Sequence, residues 1–159
     1  MIRLEEPRDQ EAVRNVNETS FGGPTEADLV EALRQECTPV VALVAEFNGE
    51  VVGHILFSPV FIEPTSPKQL VGLGPMAVAP KFQRRGIGTL LVREGLERCH
   101  AVGPEAIVVI GHAEYYPQFG FRPAHGFGLR CEYDVPPEVF MALELVPDSA
   151  ALAGWSRPD

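Results

Sequence analysis

Seven residues in the middle of the chain, Gln83-Arg84-Arg85-Gly86-Ile87-Gly88-Thr89, place two arginines and two glycines directly ahead of an amphipathic run, "LLVREGLERCH". Glycines there strip side chains from the start of a helix, so that several backbone N–H groups can converge on one point. The partial positive charge of the helix N-terminus adds to the attraction for an anion. Lys81, Arg84 and Arg85 form the densest cationic cluster in the sequence, and a pyrophosphate is an anion that suits such a loop. Taken alone, the glycines fit a second account equally well, in which one serves a tight strand-to-helix turn and the other close helix–sheet packing.

Other phosphate-binding loops fail on spacing. A Walker loop needs glycine followed by lysine and then Ser or Thr, and no glycine of this chain is so followed. A dinucleotide fingerprint can be forced onto Gly72, Gly74 and Ala77, but Pro75 intervenes and "MAVAP" continues as strand, so no helix opens where the pyrophosphate would sit. A kinase-type glycine loop would require an H-R-D element, which the sequence lacks.

The loop has to be held by its neighbours in sequence. Upstream, "QLVGLGPMAVAP" reads as an apolar strand, broken near Gly74-Pro75 because proline cannot donate to a ladder, and a bulge is expected there. Downstream, Ile87, Leu90, Leu91, Leu96 and Cys99 form one broad helical face that Gly103-Pro104 stops. "EAIVVIG" then has the short, β-branched character of a strand buried on both faces, and strand, helix and strand from Leu70 to Gly111 make a βαβ crossover. Earlier in the chain, Arg8–Val16 and Thr25–Glu36 are expected as helices, the second capped by Thr25 with Leu29, Ala32, Leu33 and Glu36 at helical spacing. Asn48-Gly49 predicts a hairpin joining strands at Val40–Phe47 and Glu50–Ile62. "HAEYYPQFGF" reads as a short helical turn, followed by strands at Gly128–Tyr133 and Val139–Leu145. The sum is an α/β (α+β) chain: a mixed, mostly antiparallel central sheet with one βαβ crossover and flanking helices.

Length and composition bound the rest. A chain of 159 residues without repeats or linkers is expected to be one domain, with a core at about 3–146 and a tail over 147–159. Cys37, Cys99 and Cys131 are odd in number and widely spaced, which points to a reducing compartment and to no metal site. "MIRLEEPRDQ" contains no apolar signal core, and no run approaches the ~20 apolar residues of a spanning helix, so the cytoplasm is expected and no membrane partner. A net charge of -9 argues against nucleic acid, whose binders gain affinity by neutralising phosphates.

"QRRGIGT" resembles the acyl-CoA loop of the GNAT N-acetyltransferase superfamily, Q/R-x-x-G-x-G/A, and here too it follows a strand of the "MAVAP" kind. "EYYPQFGF" resembles that superfamily's later helix, and with "FNGEVVGHILFSPV" the chain is similar to the small bacterial YhbS-like branch from about Arg3 to Leu145. The resemblance implies the GNAT fold and acetyl-CoA as acyl donor, with no metal. It implies that the backbone of Met76, Ala77 and Val78 pairs with the pantetheine arm like an added strand and polarises the thioester carbonyl. Gln83, Arg84, Arg85, Gly86, Ile87, Gly88 and Thr89 would hold the pyrophosphate. The Gly74-Pro75 break fits a strand that splays from Ala106–Ile110 to leave a slot for the arm.

Tyr116 matches the family's tyrosine, which implies a general acid for the departing thiolate. A phenol with its ordinary pKa near ~10 is protonated at neutral pH. Tyr115 is left to packing or to the substrate. By chemistry the general base is Glu46, His54, His112, Glu114 or a water chain, and His54, inside an apolar strand, reads better as a hydrogen-bonded structural histidine. The implied function is transfer of an acetyl group from acetyl-CoA to a primary amine of a small molecule or peptide by direct attack on the thioester. The alternatives are a non-catalytic acyl-CoA-binding or sensing module on the same fold, and a scaffold domain with no cofactor affinity. A homodimer through the C-terminal strands fits the family. The acidic surplus would steer cationic amines, peptides or polyamine-like acceptors, though surface charge more often serves solubility.

Overall fold

A computed structural model of the chain describes residues 1–36, 41–60, 70–127 and 135–145. Among the described residues there are seven strands, β1 (Ile2–Leu4), β2 (Val41–Phe47), β3 (Glu50–Val60), β4 (Leu70–Val78), β5 (Ala106–Ile110), β6 (Arg122–Pro123) and β7 (Phe140–Glu144). They form one mixed sheet in the order β1-β2-β3-β4-β5-β7-β6. The α-helices are α1 (Gln10–Phe21), α2 (Thr25–Glu36) and α3 (Ile87–Val102). The expected mixed sheet with a βαβ crossover and flanking helices is thus what the chain forms. Cys37, Val40, Ile62, Cys131, the predicted strand Gly128–Tyr133 and the tail lie outside the described residues. Among the described residues, no helix is long and apolar enough to cross a membrane.

By contact density the chain divides in two: the described residues of Met1–Ser58 with Gly74–Val102, and those of Pro59–Leu73 with Gly103–Asp159. In the first unit the predicted hairpin forms, with Asn48 at φ 51 and Gly49 at φ 77, and β2 pairs antiparallel with β3 from Val41↔Phe57 to Phe47↔Glu50. The register shifts at Ala45/Glu46. Strand β1, which three residues could not announce, pairs antiparallel with β2 through Ile2↔Ala45 and Leu4↔Leu43. Helices α1 and α2 bury Val13 and Val30 against Val44 and Leu56 of this hairpin. Each such burial stabilises the fold by roughly 1.5–3 kcal/mol.

Several helical details correct the sequence reading. A short 3-10 turn, Pro7–Asp9, precedes α1, which runs past Val16 to Phe21 and stops at Gly22, whose N–H donates to the Glu18 carbonyl. Thr25 is the first residue of α2 and not its cap, since Asp28 N–H already bonds the Pro24 carbonyl. The buried face of α2 is Ala27 and Val30, leaving Leu29 48% exposed. Helix α3 likewise buries Leu91, Val92, Gly95 and Cys99, while Leu90 is 56% exposed. Close packing explains the rotation: a Cβ on Gly95 would lie 2.2 Å from Cε2 of Phe57, so the helix can approach β3 only along its glycine. Burial pushes the Cys99 thiol up to about 12, which makes it an inert core residue.

In the second unit β5 is the spine. The parallel ladder with β4 runs over Leu70↔Ala106, Val71↔Ile107 and Gly72↔Val108. On its other edge β5 pairs antiparallel with β7, from Ala106↔Glu144 to Ile110↔Phe140, and β7 in turn carries β6. Leu70, Ala106, Val108, Ala124 and Ala142 pack as this unit's core, with Val60 and Phe140 against them. Ala106 to Val109 are buried as expected, and Ile110 emerges at the strand end.

Candidate active site

Strand β4 delivers the loop, and it does so without the expected break: the strand continues through Gly74 (φ 124) and a cis Gly74–Pro75 peptide to Val78. Met76 is half-buried, and Ala77 and Val78 are buried. Two contacts fix the strand's end. Ala79 N–H donates to the Val52 carbonyl at 2.8 Å, and the Gln83 side-chain amide donates to the Val78 carbonyl at 2.9 Å. Gln83 therefore braces the loop with its side chain, leaving the turn beyond it to the backbone.

That turn is left-handed at two places, Arg84 with φ 64 and Gly86 with φ 83. Backbone of this kind folds consecutive amides into a concave, anion-seeking surface. A Cβ at Gly86 would touch nothing within 4 Å, so the glycine is there for its φ and not for packing. Close packing of helix on sheet is the role of Gly95, further along α3, where a Cβ would meet the Phe57 ring. The α3 ladder begins where Leu90 N–H donates to the Gly86 carbonyl at 3.0 Å, so the Ile87 and Gly88 amides precede it and have no intrahelical acceptor. Thr89 completes the first turn.

The arginines of the loop are both exposed. Arg85 is held with its guanidinium carbon 5.4 Å from the centroid of the Phe82 ring, which packs on Phe47 at 5.5 Å. These two aromatics were not recognised from sequence. The signal was an aromatic at the tip of the hairpin and another two residues before the arginines, which only the folded hairpin brings together.

Tyr116 opens the 3-10 turn Tyr116–Phe119, which ends at Gly120. Its N–H donates to the His112 carbonyl at 3.3 Å, and the residue is 7% exposed. It packs edge-on to Tyr115 (centroids 5.1 Å, 80°) and to Phe121 (5.8 Å, 74°). Burial, with Tyr115 adding to it, pushes the phenol up to about 12. Tyr115 is half-buried and also packs on Phe119 at 5.4 Å.

The four side chains named for proton removal divide by environment. Glu46 lies 3.4 Å from Arg3, whose guanidinium also holds Asp9 at 2.8 and 3.0 Å, so Glu46 belongs to a structural ion-pair network. His54 is fully buried, and among the described residues neither ring nitrogen has a hydrogen-bond partner, contrary to the expected hydrogen-bonded histidine. Glu5 lies 3.7 Å from Nε2 and is itself bonded to Arg34. Burial first, and then Arg34, brings the imidazole down to about 3, so it is neutral and closed to solvent. His112 and Glu114, by contrast, are exposed just beyond the C-terminal end of β5.

Comparison with known proteins agrees with this architecture. The sequence profile of the acetyltransferase (GNAT) family matches residues 10–127. The uncharacterized N-acetyltransferase YjhQ of Escherichia coli K12 is 37% identical over 164 residues, covering 98% of this chain and 90% of YjhQ. The crystal structure of the GNAT family N-acetyltransferase YhbS of Escherichia coli in complex with CoA superposes with a TM-score of 0.88 at 34% identity, covering 97% of this chain and 84% of that one. A GNAT family acetyltransferase of Brucella melitensis in complex with acetyl-CoA gives 0.76 at 35% identity, covering 92% and 88%. On the profile match and the identity to YjhQ, the chain belongs to the GNAT acetyltransferase family.

Proposed function

We propose that this enzyme transfers the acetyl group of acetyl-CoA to a primary amine by direct attack of the neutral amine on the thioester, with Tyr116 returning a proton to the CoA thiolate. As a member of its family the chain is an N-acetyltransferase with acetyl-CoA as donor, and the acceptor is a small molecule or the amine of a peptide. The observation that carries the reading is the left-handed Arg84–Gly86 turn feeding the open amides of α3. In this reading Gln83 to Thr89 hold the pyrophosphate: Gly86, Ile87 and Gly88 through backbone N–H groups, Arg84 and Arg85 through charge, and Gln83 by bracing the turn. Met76, Ala77 and Val78 present backbone groups to the pantetheine arm and the thioester carbonyl.

The chemistry balances as one acyl transfer. The amine nitrogen forms a bond to the acetyl carbon, the C–S bond breaks with its electrons on sulfur, the ammonium proton is lost to solvent as the thiolate gains one from the Tyr116 phenol, and the phenolate regains its proton from solvent before the next turnover. A phenol that is protonated throughout the physiological range is always loaded for that step. Proton removal from the amine falls to solvent-exposed groups, His112, Glu114 or water, because Glu46 and His54 are committed to the fold.

Two measurements test this. Saturating acetyl-CoA should raise the thermal midpoint by several degrees, as any ligand of the native state does, and CoA should be released when spermidine, lysinamide or an alanine-terminated peptide is added. A midpoint unmoved by acetyl-CoA would end the reading.

A further inference from the structure

Gly111 follows β5 directly, and its N–H donates to the Val139 carbonyl at 2.9 Å, which pins the backbone at this point. Unlike Gly120 of the same region (φ 100), it is not among the residues at left-handed φ, so backbone conformation does not require a glycine. Proximity does. A Cβ built on Gly111 would lie 2.4 Å from Cε2 of Tyr116, 3.0 Å from Cδ2 and 3.3 Å from Cζ. Carbon atoms in ordinary contact stand about 3.5–4.0 Å apart, so the edge of the tyrosine ring occupies the space where any other residue's side chain begins. The ring has little room to yield: Tyr115 and Phe121 meet it edge-on, and its own N–H is tied to His112.

We infer that Gly111 is a positioning residue for the transfer reaction: the absence of its side chain seats the Tyr116 ring against the end of β5 and thereby sets where the phenol hydroxyl is presented. The inference rests on the general-acid role proposed for Tyr116. A methyl group at Gly111 must displace the ring by about 1 Å to restore ordinary contact, and a misplacement of that size costs on the order of 10²-fold in rate.

The test is a double-mutant cycle of Gly111→Ala and Tyr116→Phe. It is read as CoA release at saturating acetyl-CoA with whichever of the three probe amines reacts fastest, and as acetyl-CoA affinity by calorimetry. Gly111→Ala should lower kcat by about 10²-fold with affinity changed less than about 3-fold, and in the Tyr116→Phe background it should change kcat by less than about 3-fold. If Tyr116→Phe is impaired but Gly111→Ala is not, the positioning role is refuted while the acid role stands. If Tyr116→Phe itself is unimpaired, both fall. Losses that multiply in the double variant would also refute it, because Gly111 would then act through something other than the phenol.

Two further readouts do not need activity. In protein labelled with 3-fluorotyrosine, Gly111→Ala must shift the Tyr116 fluorine resonance, assigned by its disappearance in Tyr116→Phe; an unshifted resonance overturns the inference. If Gly111→Ala does not fold, Gly111→Ala/Tyr116→Ala removes the obstructing ring and should be as stable as Tyr116→Ala alone, and a double variant less stable than Tyr116→Ala would show that the ring was not the obstacle.

Discussion

Tyr116→Phe removes one oxygen and leaves the aromatic packing in place, since the edge-on contacts at 5.1 and 5.8 Å are made by the ring. Stability and acetyl-CoA affinity should therefore change little, and the loss should fall on kcat. General acids contribute about 10²–10⁴-fold. The lower end applies here, because a phenol raised from its ordinary ~10 to about 12 gives up its proton less readily by roughly 2–3 kcal/mol in the free enzyme. A decrease of about 10²-fold in kcat is expected.

The same environment dictates the pH profile. Burial disfavours the phenolate, so the donor form persists as pH rises and is lost only through about 12. At pH 10 about 1% of Tyr116 would be ionised, against about half for an ordinary tyrosine. The kcat/KM of the parent enzyme for acetyl-CoA, which reports the groups of the free enzyme and is followed by CoA release from pH 7 to pH 10, should therefore show no alkaline fall owed to Tyr116. A decline centred between pH 8 and 10 that disappears in Tyr116→Phe would refute the argument, because it would assign to this residue an ionisation that its surroundings suppress.

The remaining predictions concern the loop and the fold beneath it. Gly86→Ala should lower stability by about 1–2 kcal/mol, from left-handed backbone strain alone, since its Cβ meets no atom within 4 Å. Gly86→Glu should in addition weaken acetyl-CoA binding by more than about 10-fold through charge repulsion, and calorimetry showing unchanged affinity would contradict the pyrophosphate assignment. Asp9 is held down to about 2, chiefly by its hydrogen bonds from Arg3 and against the opposing effect of burial. Relative to an ordinary ~3.9 this represents roughly 1–2 kcal/mol, allowing for solvent screening of the partly exposed Arg3. A depressed carboxylate stabilises above its unfolded pKa and stops doing so as pH falls through its folded pKa. The stability gap between the parent and Asp9→Asn in urea unfolding should accordingly be full above pH 5 and close between pH 4 and pH 2; a gap as wide at pH 2 as at pH 6 would rule the ion pair out as its source.

Which of these features could be read from the sequence follows from the range of the interactions that create them. The Asn48-Gly49 hairpin, the span of α2 and the βαβ crossover rest on turn chemistry and periodicity within a few residues, and they appear where the sequence places them. Strand β1 does not announce itself in three residues because its only specification is its partner, Ala45 to Leu43 of β2. The helix faces fail for a different reason. Ile87, Leu90, Leu91, Val92 and Leu96 are apolar nearly all the way round, so hydrophobic spacing permits more than one buried face in α3. What selects the observed face is Gly95 lying on Phe57, and glycine contributes nothing to a hydrophobic pattern. Helix α2 shows the same preference, burying Ala27 and Val30 and leaving the bulkier Leu29 outside. At Gly111 this logic reaches the candidate site, where a missing side chain makes room for the Tyr116 ring. Reading the tyrosine as an acid needs only its chemistry and its motif. Reading how the acid is aimed requires knowing which atoms its neighbour lacks, and that becomes visible only when the strand end and the aromatic turn are brought so close that a Cβ on Gly111 would lie 2.4 Å from Cε2 of Tyr116.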